Sequence, residues 1–377
     1  MRCPFVILSL CRAAPFVILL LSGGEIDVER KMRAAAILGL GSCANHLKPF
    51  ARSTNATWQF GLPASNNEAD AIIIFGGDGT VHRHLAALVA LQLPVLVVPH
   101  GSGNDFARAL NLRSVRDSEN AWRQFASGQG NVRQIDLGFI SSPGAPRIQG
   151  HYFCCVGGIG LDAEIARRAN HLPRWIRRRG GYFLSLLPAL YGFKPPRVKV
   201  QSDLPGSSST SVIQHDGTAM VVAFANTPAY GDGIKIAPHA RLDDGKLDIC
   251  VVGSMAKARL LRLFPSVYSG SHLSIPEVKY FQTDRLRLET KQPMDVYADG
   301  EYVCRTPVEV SLKRAALRVI VPEGRSVDVS GSGAQIIGQP ARITGEIAML
   351  RQSVSEPAAI QRAPAPLQEH SPQASSV

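Results

Sequence analysis

Three glycines, one carboxylate and one hydroxyl follow a run of apolar residues, and a helical pattern begins at once: Gly76, Gly77, Asp78, Gly79 and Thr80. Glycine lacks a Cβ atom, so the backbone at such positions can approach a ligand closely. The N-terminus of a helix offers free N–H groups and a partial positive charge, which suit phosphate. We therefore expect this loop to bind phosphate and Thr80 to cap the helix; a plain strand-to-helix turn is the alternative.

Asp78 needs its own explanation, because a carboxylate repels phosphate. Its presence is accounted for if it acts through a magnesium ion, directly or by way of water, or if it holds the N–H groups of its own loop. A Walker-type site is excluded, since no G-x-x-x-x-G-K-[ST] segment occurs in the chain.

A second loop of the same form follows the third apolar run of the chain. It contains Gly101, Ser102, Asn104 and Asp105, and a helical pattern follows it. Two such loops after neighbouring strands would face one crevice, at the edge where open α/β sheets bind ligands.

The spacing of apolar residues predicts two kinds of architecture along the chain. Continuous apolar runs at Ala34–Leu40, Ala71–Phe75 and Val95–Val98 alternate with helical stretches, which indicates a parallel sheet covered on both faces. After about Ile140, closely spaced runs alternate polar and apolar residues. That pattern predicts a largely antiparallel second domain.

We divide the chain into an apolar extension over 1–31, an α/β domain over 32–140, an antiparallel domain over 141–324 and a tail over 325–377 that is expected to be disordered. The extension contains PFVIL twice, and Arg12 interrupts its apolar run. It is either a membrane-associating segment or an extension from an upstream start, because Met32 opens a strand.

Composition limits the classes of partner. Lys and Arg number 41 and Asp and Glu 30, so the formal net charge is +11 over 377 residues. Such a chain attracts nucleotides, nucleic acids or anionic lipid surfaces. A nucleic-acid function is disfavoured because it would rest on charge alone. The seven cysteines have no zinc spacing and indicate a reducing compartment, so a cytoplasmic location is expected.

Taken together, the motifs resemble the family of soluble diacylglycerol kinases and sphingosine kinases. GGDGT at 76–80 is followed by GSGNDFAR at 101–108, which matches the family pattern. Further similar segments occur in the same order at Ile135–Gly138, Tyr152–Ile165, Ala237–Val252 and Asp299–Glu301. The resemblance covers residues 32–322, and as a set its motifs are specific.

The resemblance implies an NAD-kinase-like two-domain architecture, with an α/β nucleotide domain followed by a mainly antiparallel β-sandwich that recognises lipid. ATP and Mg²⁺ would bind in the crevice between the domains, because phosphoryl transfer depends on positioning and charge neutralisation. Glu301 would accept the proton of the lipid hydroxyl, and Asp299 and Asp78 complete the catalytic set. The residues expected to hold the nucleotide are Gly76, Gly77, Asp78, Gly79, Thr80, Gly101, Ser102, Asn104 and Asp105.

The resemblance also implies a structural magnesium site in the Asp-Asp-Gly segment. Its ligands would be the side chain of Asp244 and the backbone carbonyls of Arg241 and Lys246.

The segment VYADGEYV has a simpler interpretation beside the catalytic one. Asp-Gly between alternating apolar residues is a strong hairpin signal. Both interpretations hold if the turn carries Glu301 to the crevice and Asp299 acts mainly within the turn.

The chain departs from the family pattern at three places. GLGSCA at Gly39–Ala44 stands where the family has an Asn-Pro loop, which leaves the phosphate contacts there open. His82 and Arg83 stand where Asn and Glu often occur, and Cys155 replaces an Asn. The missing Glu weakens any expectation of a metal beside His82.

A basic segment predicts contact with an anionic membrane surface. Arg174 and Arg177–Arg179 surround Trp175 and Ile176, a composition typical of interfacial segments. A solvated helix end is the alternative. We expect a cytoplasmic protein that associates peripherally with the membrane, and assembly into a homodimer is left open.

The sequence therefore predicts an ATP-dependent lipid kinase, with diacylglycerol or a similar lipid alcohol as substrate. Sphingoid bases, ceramide and undecaprenol-like alcohols are also open. NAD kinase ranks below, because HGSGNDFARAL replaces its Asn-Leu-Gly-x-Leu-Gly-Phe type of segment. A non-catalytic nucleotide sensor is disfavoured, because Asp299 and Glu301 are present and GLGSCA lacks the acidic partner of a dinucleotide fingerprint.

Overall fold

The computed structural model describes residues 31–144, 149–172, 181–204, 207–231 and 233–323, without the side chains of 181–183, 204 and 207–210. The predictions for residues 1–30, for the C-terminal tail and for the arginines of the basic segment, Arg174 and Arg177–Arg179, lie outside the described residues.

The strands are β1 (Met32–Leu38), β2 (Ala56–Phe60), β3 (Ala71–Gly76), β4 (Val95–Pro99), β5 (Val132–Ser141), β6 (His151–Phe153), β7 (Val156–Gly160), β8 (Arg197–Leu204), β9 (Ser207–Ala225), β10 (Leu247–Gly253), β11 (Val278–Thr283), β12 (Arg285–Thr290), β13 (Asp295–Ala298), β14 (Glu301–Arg305) and β15 (Val308–Ile320). The helices are α1 (Lys48–Arg52), α2 (Asp78–Leu91), α3 (Asp105–Ala109), α4 (Val115–Ala126), α5 (Leu161–His171), α6 (Gly181–Gly192), α7 (Lys257–Leu263) and α8 (Ser266–Ser269).

The first part of the chain forms a parallel sheet in the order β2-β1-β3-β4. All six residues of β3 are buried, and so are four of the five residues of β4. Strands that are apolar on both faces require cover on both faces, and helices between the strands supply it. The sheet therefore brings the loops that follow β3 and β4 to the same edge.

The second part of the chain forms two antiparallel sheets that share the long strand β9. In one sheet β9 pairs with β7, and the order continues through β13 to β14. In the other sheet the first half of β9 pairs with β8, and the order continues through β12 to β15. Alternate residues of both sheets face a common core that includes Ile159, Val200, Phe224 and Leu288. This is the mainly antiparallel sandwich that the sequence predicts.

Strand β15 joins the two parts of the fold. Most of its length pairs with β5 and β12, but Val319 near its end pairs in parallel with Val95 of β4. The last strand of the sandwich thus continues the parallel sheet, and the two parts share a continuous backbone ladder.

No helix within the described ranges combines the length and apolar character that crossing a bilayer requires. Helix α6 is apolar but has only 12 residues, whereas a spanning helix needs ~20.

Candidate active site

The first glycine loop joins the end of β3 to helix α2. Gly77 is the residue before the helix, which begins at Asp78, so Thr80 lies inside the first turn and does not cap it. A Cβ atom on Gly76 would lie 2.6 Å from Cβ of Thr80, and one on Gly39 would lie 2.5 Å from its Oγ1. The prediction that Thr80 caps the helix is therefore wrong; its side chain packs between two glycines that leave room for it.

The two glycine loops touch each other. A Cβ atom on Gly77 would lie 2.7 Å from Cα of Gly101, and the N–H of His100 donates to the carbonyl of Gly76 at 3.1 Å. Asn104 has a positive φ of 58°, and its side-chain amide accepts from the N–H of Gly101 at 2.7 Å and donates to its carbonyl at 3.0 Å. The close approach requires glycine at both positions, and Asn104 fixes the shape of the second loop.

Asp78 connects the first loop to helix α3. Its two carboxylate oxygens accept from the backbone N–H groups of Asp105 and Phe106, each at 3.0 Å. Burial and the neighbouring Asp105 carboxylate raise the pKa of Asp78 to about 6, although the two backbone hydrogen bonds oppose that shift. Asp78 thus holds the N–H groups at the start of α3, and it is poised to change its charge just below neutral pH.

The Asp-Gly pair between β13 and β14 forms the hairpin turn that the local pattern predicts. Asp299 and Gly300 have φ values of 50° and 82°, as expected of a tight two-residue hairpin, and Ala298 pairs with Glu301 across it. The side chain of Asp299 is completely buried. Its carboxylate accepts from the N–H groups of Cys154 at 2.9 Å and Cys155 at 2.8 Å.

The hairpin brings Glu301 to the first glycine loop. A Cβ atom on Gly79 would lie 2.9 Å from Oε1 of Glu301, so this carboxylate lies against the first turn of α2. Glu301 itself is exposed, and its strand belongs to the sandwich. Side chains from both parts of the fold therefore meet at the N-terminus of α2, where phosphate is favoured.

His82 has a contact that its place in the sequence did not indicate. Its Nδ1 lies 2.9 Å from Oδ2 of Asp299. Burial by itself would lower the pKa of His82, but its hydrogen bond to the Asp299 carboxylate and the charges of Asp299 and Glu301 raise the pKa above its ordinary value. The two residues are 217 positions apart, so no spacing rule could have paired them.

Two thiols also lie beside Asp299. Sγ of Cys154 and Sγ of Cys155 are 3.9 Å apart, and Sγ of Cys154 lies 3.4 Å from Oδ2 of Asp299. Burial raises the pKa of both thiols. Because a thiolate is the form that ligates metals, and the carboxylate is already satisfied by the chain's own donors, this cluster is suited to structure rather than to metal binding.

The Asp-Asp-Gly segment lies at the bulge between β5 and β15. The carboxylate of Asp136 accepts from the N–H groups of Gly245 at 2.8 Å and Ala315 at 2.7 Å, and Oδ1 of Asp244 accepts from the N–H of Lys246 at 3.0 Å. Burial is the largest cause of the raised pKa of Asp244, against the opposing effects of Lys246 and Arg241.

The two acidic residues of that segment have different surroundings. Asp243 forms ion pairs with Arg133 at 2.5 Å and Arg241 at 3.6 Å. Asp244 forms no ion pair with any described residue.

A cleft of about 260 Å³ lies between α5, α6 and β13. Its lining combines charged groups with apolar ones: Glu164, Arg167, Arg168, Ala189, Phe193 and Tyr297. Strand β13 runs from this cleft to the turn that holds Asp299. The same hairpin therefore contributes residues to the cleft and to the crevice between Glu301 and the glycine loops.

Comparison with known proteins places this geometry in a family. Residues 37–140 match the diacylglycerol kinase catalytic domain, and residues 156–321 match the YegS C-terminal NAD kinase beta sandwich-like domain. A diacylglycerol kinase of Mycobacterium tuberculosis is 33% identical over 253 residues, which cover 67% of this chain and 77% of that protein. A diacylglycerol kinase of Bacillus subtilis is 26% identical over 265 residues, which cover 70% of this chain and 81% of that protein.

The fold is shared with a solved structure as well. The crystal structure of a diacylglycerol kinase from Bacillus anthracis superposes with a TM-score of 0.54 at 19% identity, covering 78% of this chain and 97% of that one. Since the catalytic and sandwich matches follow each other along one chain, as the two parts of the fold do, the protein belongs to the diacylglycerol kinase family and is a kinase that phosphorylates an alcohol group of a lipid.

Proposed function

We propose that the protein transfers the γ-phosphoryl group of ATP to the hydroxyl group of diacylglycerol or a similar lipid alcohol. One observation carries this proposal: the carboxylate of Glu301, from the sandwich, lies against Gly79 in the first turn of α2. A carboxylate beside a phosphate-binding helix end is suited to accept the proton of an incoming hydroxyl. Glu301 is therefore the proposed general base.

The proposed nucleotide site is the pair of touching glycine loops. The backbone N–H groups near Gly77 and Gly79 would face the phosphates, and Ser102 is exposed at the rim of the second loop. Asp78 and Asn104 would act on the loops themselves, because each binds backbone groups of the second loop or of α3. Preorganised loops of this kind supply the positioning on which phosphoryl transfer depends.

We assign a structural magnesium ion to the side chain of Asp244 and the carbonyls of Arg241 and Lys246. The donor set is all oxygen, as magnesium prefers, and Asp244 differs from Asp243 in lacking an ion-pair partner among the residues described. Burial is the largest cause of the raised pKa of Asp244, and a bound cation would favour its charged form. When bound, the ion would neutralise this carboxylate and tie the segment together.

We assign membrane contact to one face of helix α6. Leu184, Leu187 and Tyr191 recur at helical spacing and are 55%, 57% and 88% exposed. Two ammonium groups lie at the C-terminal end of this face, since Nζ of Lys257 donates to the carbonyl of Tyr191 at 2.6 Å and Lys194 is exposed two residues after the helix. Apolar side chains bordered by cations fit an anionic bilayer surface, where each nearby cation contributes ~1 kcal/mol.

Vesicle sedimentation tests this surface. Leu184→Ser with Leu187→Ser is expected to reduce binding to phosphatidylserine-containing vesicles, while Ile213→Ser, at a similarly exposed apolar residue on β9, is expected to leave it unchanged. Equal binding by the double variant and the parent would rule out α6 as the contact face.

The substrate assignment is tested with labelled ATP and a panel of acceptors in mixed micelles. The panel contains diacylglycerol, a sphingoid base, ceramide, undecaprenol and NAD. Diacylglycerol is expected to be labelled fastest. Labelling of another lipid alone would reassign the substrate within the same reaction, and labelling of NAD alone would overturn the lipid proposal.

A further inference from the structure

The buried carboxylate of Asp299 has polar partners from two separate segments of the chain. The N–H groups of Cys154 and Cys155 donate from the segment before β7, and the thiol of Cys154 lies at 3.4 Å. His82 contributes from helix α2 at 2.9 Å, and it is the one ion-pair partner of Asp299 within the described part of the chain. A carboxylate without exposed surface is costly unless its charge is compensated, and His82 is placed to compensate it.

The hairpin and the helix meet at two points. On α2, Gly79 and His82 are three residues apart and therefore lie on one face. On the hairpin, Asp299 contacts His82 and Glu301 lies over Gly79. The first contact is an ion pair and the second is a close approach without a hydrogen bond, so the ion pair is the contact that can hold the second in place.

We propose that His82 is a positioning residue: as an imidazolium it ties Asp299 to α2 and so holds the Glu301 carboxylate at the phosphate-binding end of that helix, which makes the reaction rate depend on the charge of His82. This inference rests on the proposed role of Glu301. It adds a residue that no motif of the family assigns, since His82 stands where the pattern has Asn.

The surroundings of His82 set the sign of its pH dependence. Asp299 and Glu301 face it from the hairpin, and Asp78, which has Asp105 beside it, lies one turn earlier on α2; the thiol of Cys154 lies on Asp299. Asp299 and Glu301 raise the pKa of His82, so the imidazolium is fully present below the ordinary histidine range. Its contribution is lost as pH rises through the pKa in the folded protein.

A different group controls how the reaction rate changes at acidic pH. Asp78, with a pKa of about 6, becomes charged as the pH rises through that value. The loss of activity as the pH rises above the ordinary histidine range, here called the alkaline decline, is therefore the part that His82 would control.

Three variants test the proposal by kcat, KM and pH profile. His82→Ala removes the contact, and His82→Asn keeps a side-chain donor without a titratable charge. His84→Asn is the matched control, since His84 lies on the same helix, and burial and the charge of Arg83 lower its pKa. Misplacement of a reacting group by about 1 Å can cost ~10²-fold, so His82→Ala is expected to lower kcat at least ~10-fold with little change in the KM for ATP.

The asparagine variant separates positioning from simple packing. His82→Asn keeps a donor but not the charge, so it is expected to give a kcat at pH 7 between those of His82→Ala and the parent, and to abolish the alkaline decline that the parent and His84→Asn retain. An alkaline decline unchanged in His82→Asn would overturn the proposal. So would a kcat of His82→Ala equal to that of the parent.

A measurement that needs no turnover keeps the test independent of the proposed function. The imidazole of His82 is titrated by ¹⁵N NMR in the parent and in Asp299→Asn. Loss of Asp299 is expected to lower the pKa of His82 while leaving that of His84 in place; an unchanged pKa would show that the pair does not form. If the pKa of His82 falls in Asp299→Asn as expected but the parent phosphorylates no lipid, the contact between His82 and Asp299 stands. That result would count against the proposed substrate alone.

Discussion

The two sides of the crevice are built differently. On the α/β side, Asp78 binds only backbone N–H groups, and its partners lie within 28 positions of it. On the sandwich side, Asp299 is bound by two backbone N–H groups and by the side chain of His82, 217 positions away. The first arrangement is a local loop structure, whereas the second depends on how the two parts of the fold come together. Substitutions on the two sides are therefore expected to have different effects. Those on the α/β side disturb the loop itself, and those on the sandwich side disturb the contact between the two parts of the fold.

Among the variants of the glycine loops and the Asp-Asp-Gly segment, the largest effect is expected from Asp78→Asn. An amide can accept at one atom only, so it cannot satisfy the N–H groups of both Asp105 and Phe106, and the start of α3 loses its anchor. We expect kcat to fall by more than ~100-fold, because the loops lose their preorganised shape.

Circular dichroism and thermal unfolding are the controls for Asp78→Asn. Losing one charge-assisted hydrogen bond costs ~1.5–3 kcal/mol, which the fold should tolerate. Normal turnover of a folded variant with saturating Mg-ATP would contradict the assignment of this loop to phosphate.

A somewhat smaller effect is expected from Gly101→Ala. The added Cβ atom would lie 2.4 Å from Cα of Gly77 and 2.9 Å from Oδ1 of Asn104, so the two loops must separate. We expect weaker ATP binding, measured by calorimetry, and a loss of ~1–3 kcal/mol of stability.

Gly217→Ala is the matched control for the loop glycine. Gly217 lies in β9, and the atoms nearest to its added Cβ are 3.5 Å away on the side chain of His215. Equal ATP affinity of Gly101→Ala and Gly217→Ala would show that the contact between the loops does not shape the nucleotide site.

The smallest effect is expected at the Asp-Asp-Gly segment, away from the glycine loops. Magnesium is expected to raise the Tm of the parent, since an ion at 100 times its Kd stabilises a protein by ~2.7 kcal/mol. Asp244→Asn should abolish that increase while changing kcat little. Asp243→Asn, which removes only exposed ion pairs worth ~0–1 kcal/mol, should retain it.

The Asp-Asp-Gly segment is expected to affect stability rather than the reaction. If Asp244→Asn loses catalytic activity as completely as Asp78→Asn, the segment belongs to the reaction centre. If both aspartate variants keep the same magnesium-dependent rise in Tm, the ion binds elsewhere.

The fold class and the glycine loops were predictable because their signals are local. Buried strands such as β3 and β4 are continuous apolar runs. The loops after them are recognised by their glycines and by the Asn-Asp pair. The hairpin at Asp299 was predictable for the same reason. Each of these features is decided within a few neighbouring residues.

The remaining features depend on long-range contacts. The role of Thr80 was wrongly predicted because α2 begins two residues earlier, and the space left by Gly39 and Gly76 then receives its side chain. The pairing of β15 with β4 and the contact of His82 with Asp299 join segments more than 200 positions apart. No periodicity in a single sequence reports such pairs.

The most direct test of the account is a single-turnover measurement on Glu301→Gln with saturating ATP and diacylglycerol. Glutamine keeps the shape of the side chain over Gly79 but cannot accept the proton, so the phosphoryl-transfer rate should fall by ~10²–10⁴-fold. ATP affinity should stay at the parent's value, and Glu289→Gln, at a partly exposed glutamate on β12, should behave as the parent. A Glu301→Gln rate within a factor of about three of the parent would contradict the account, because a general base is not that dispensable.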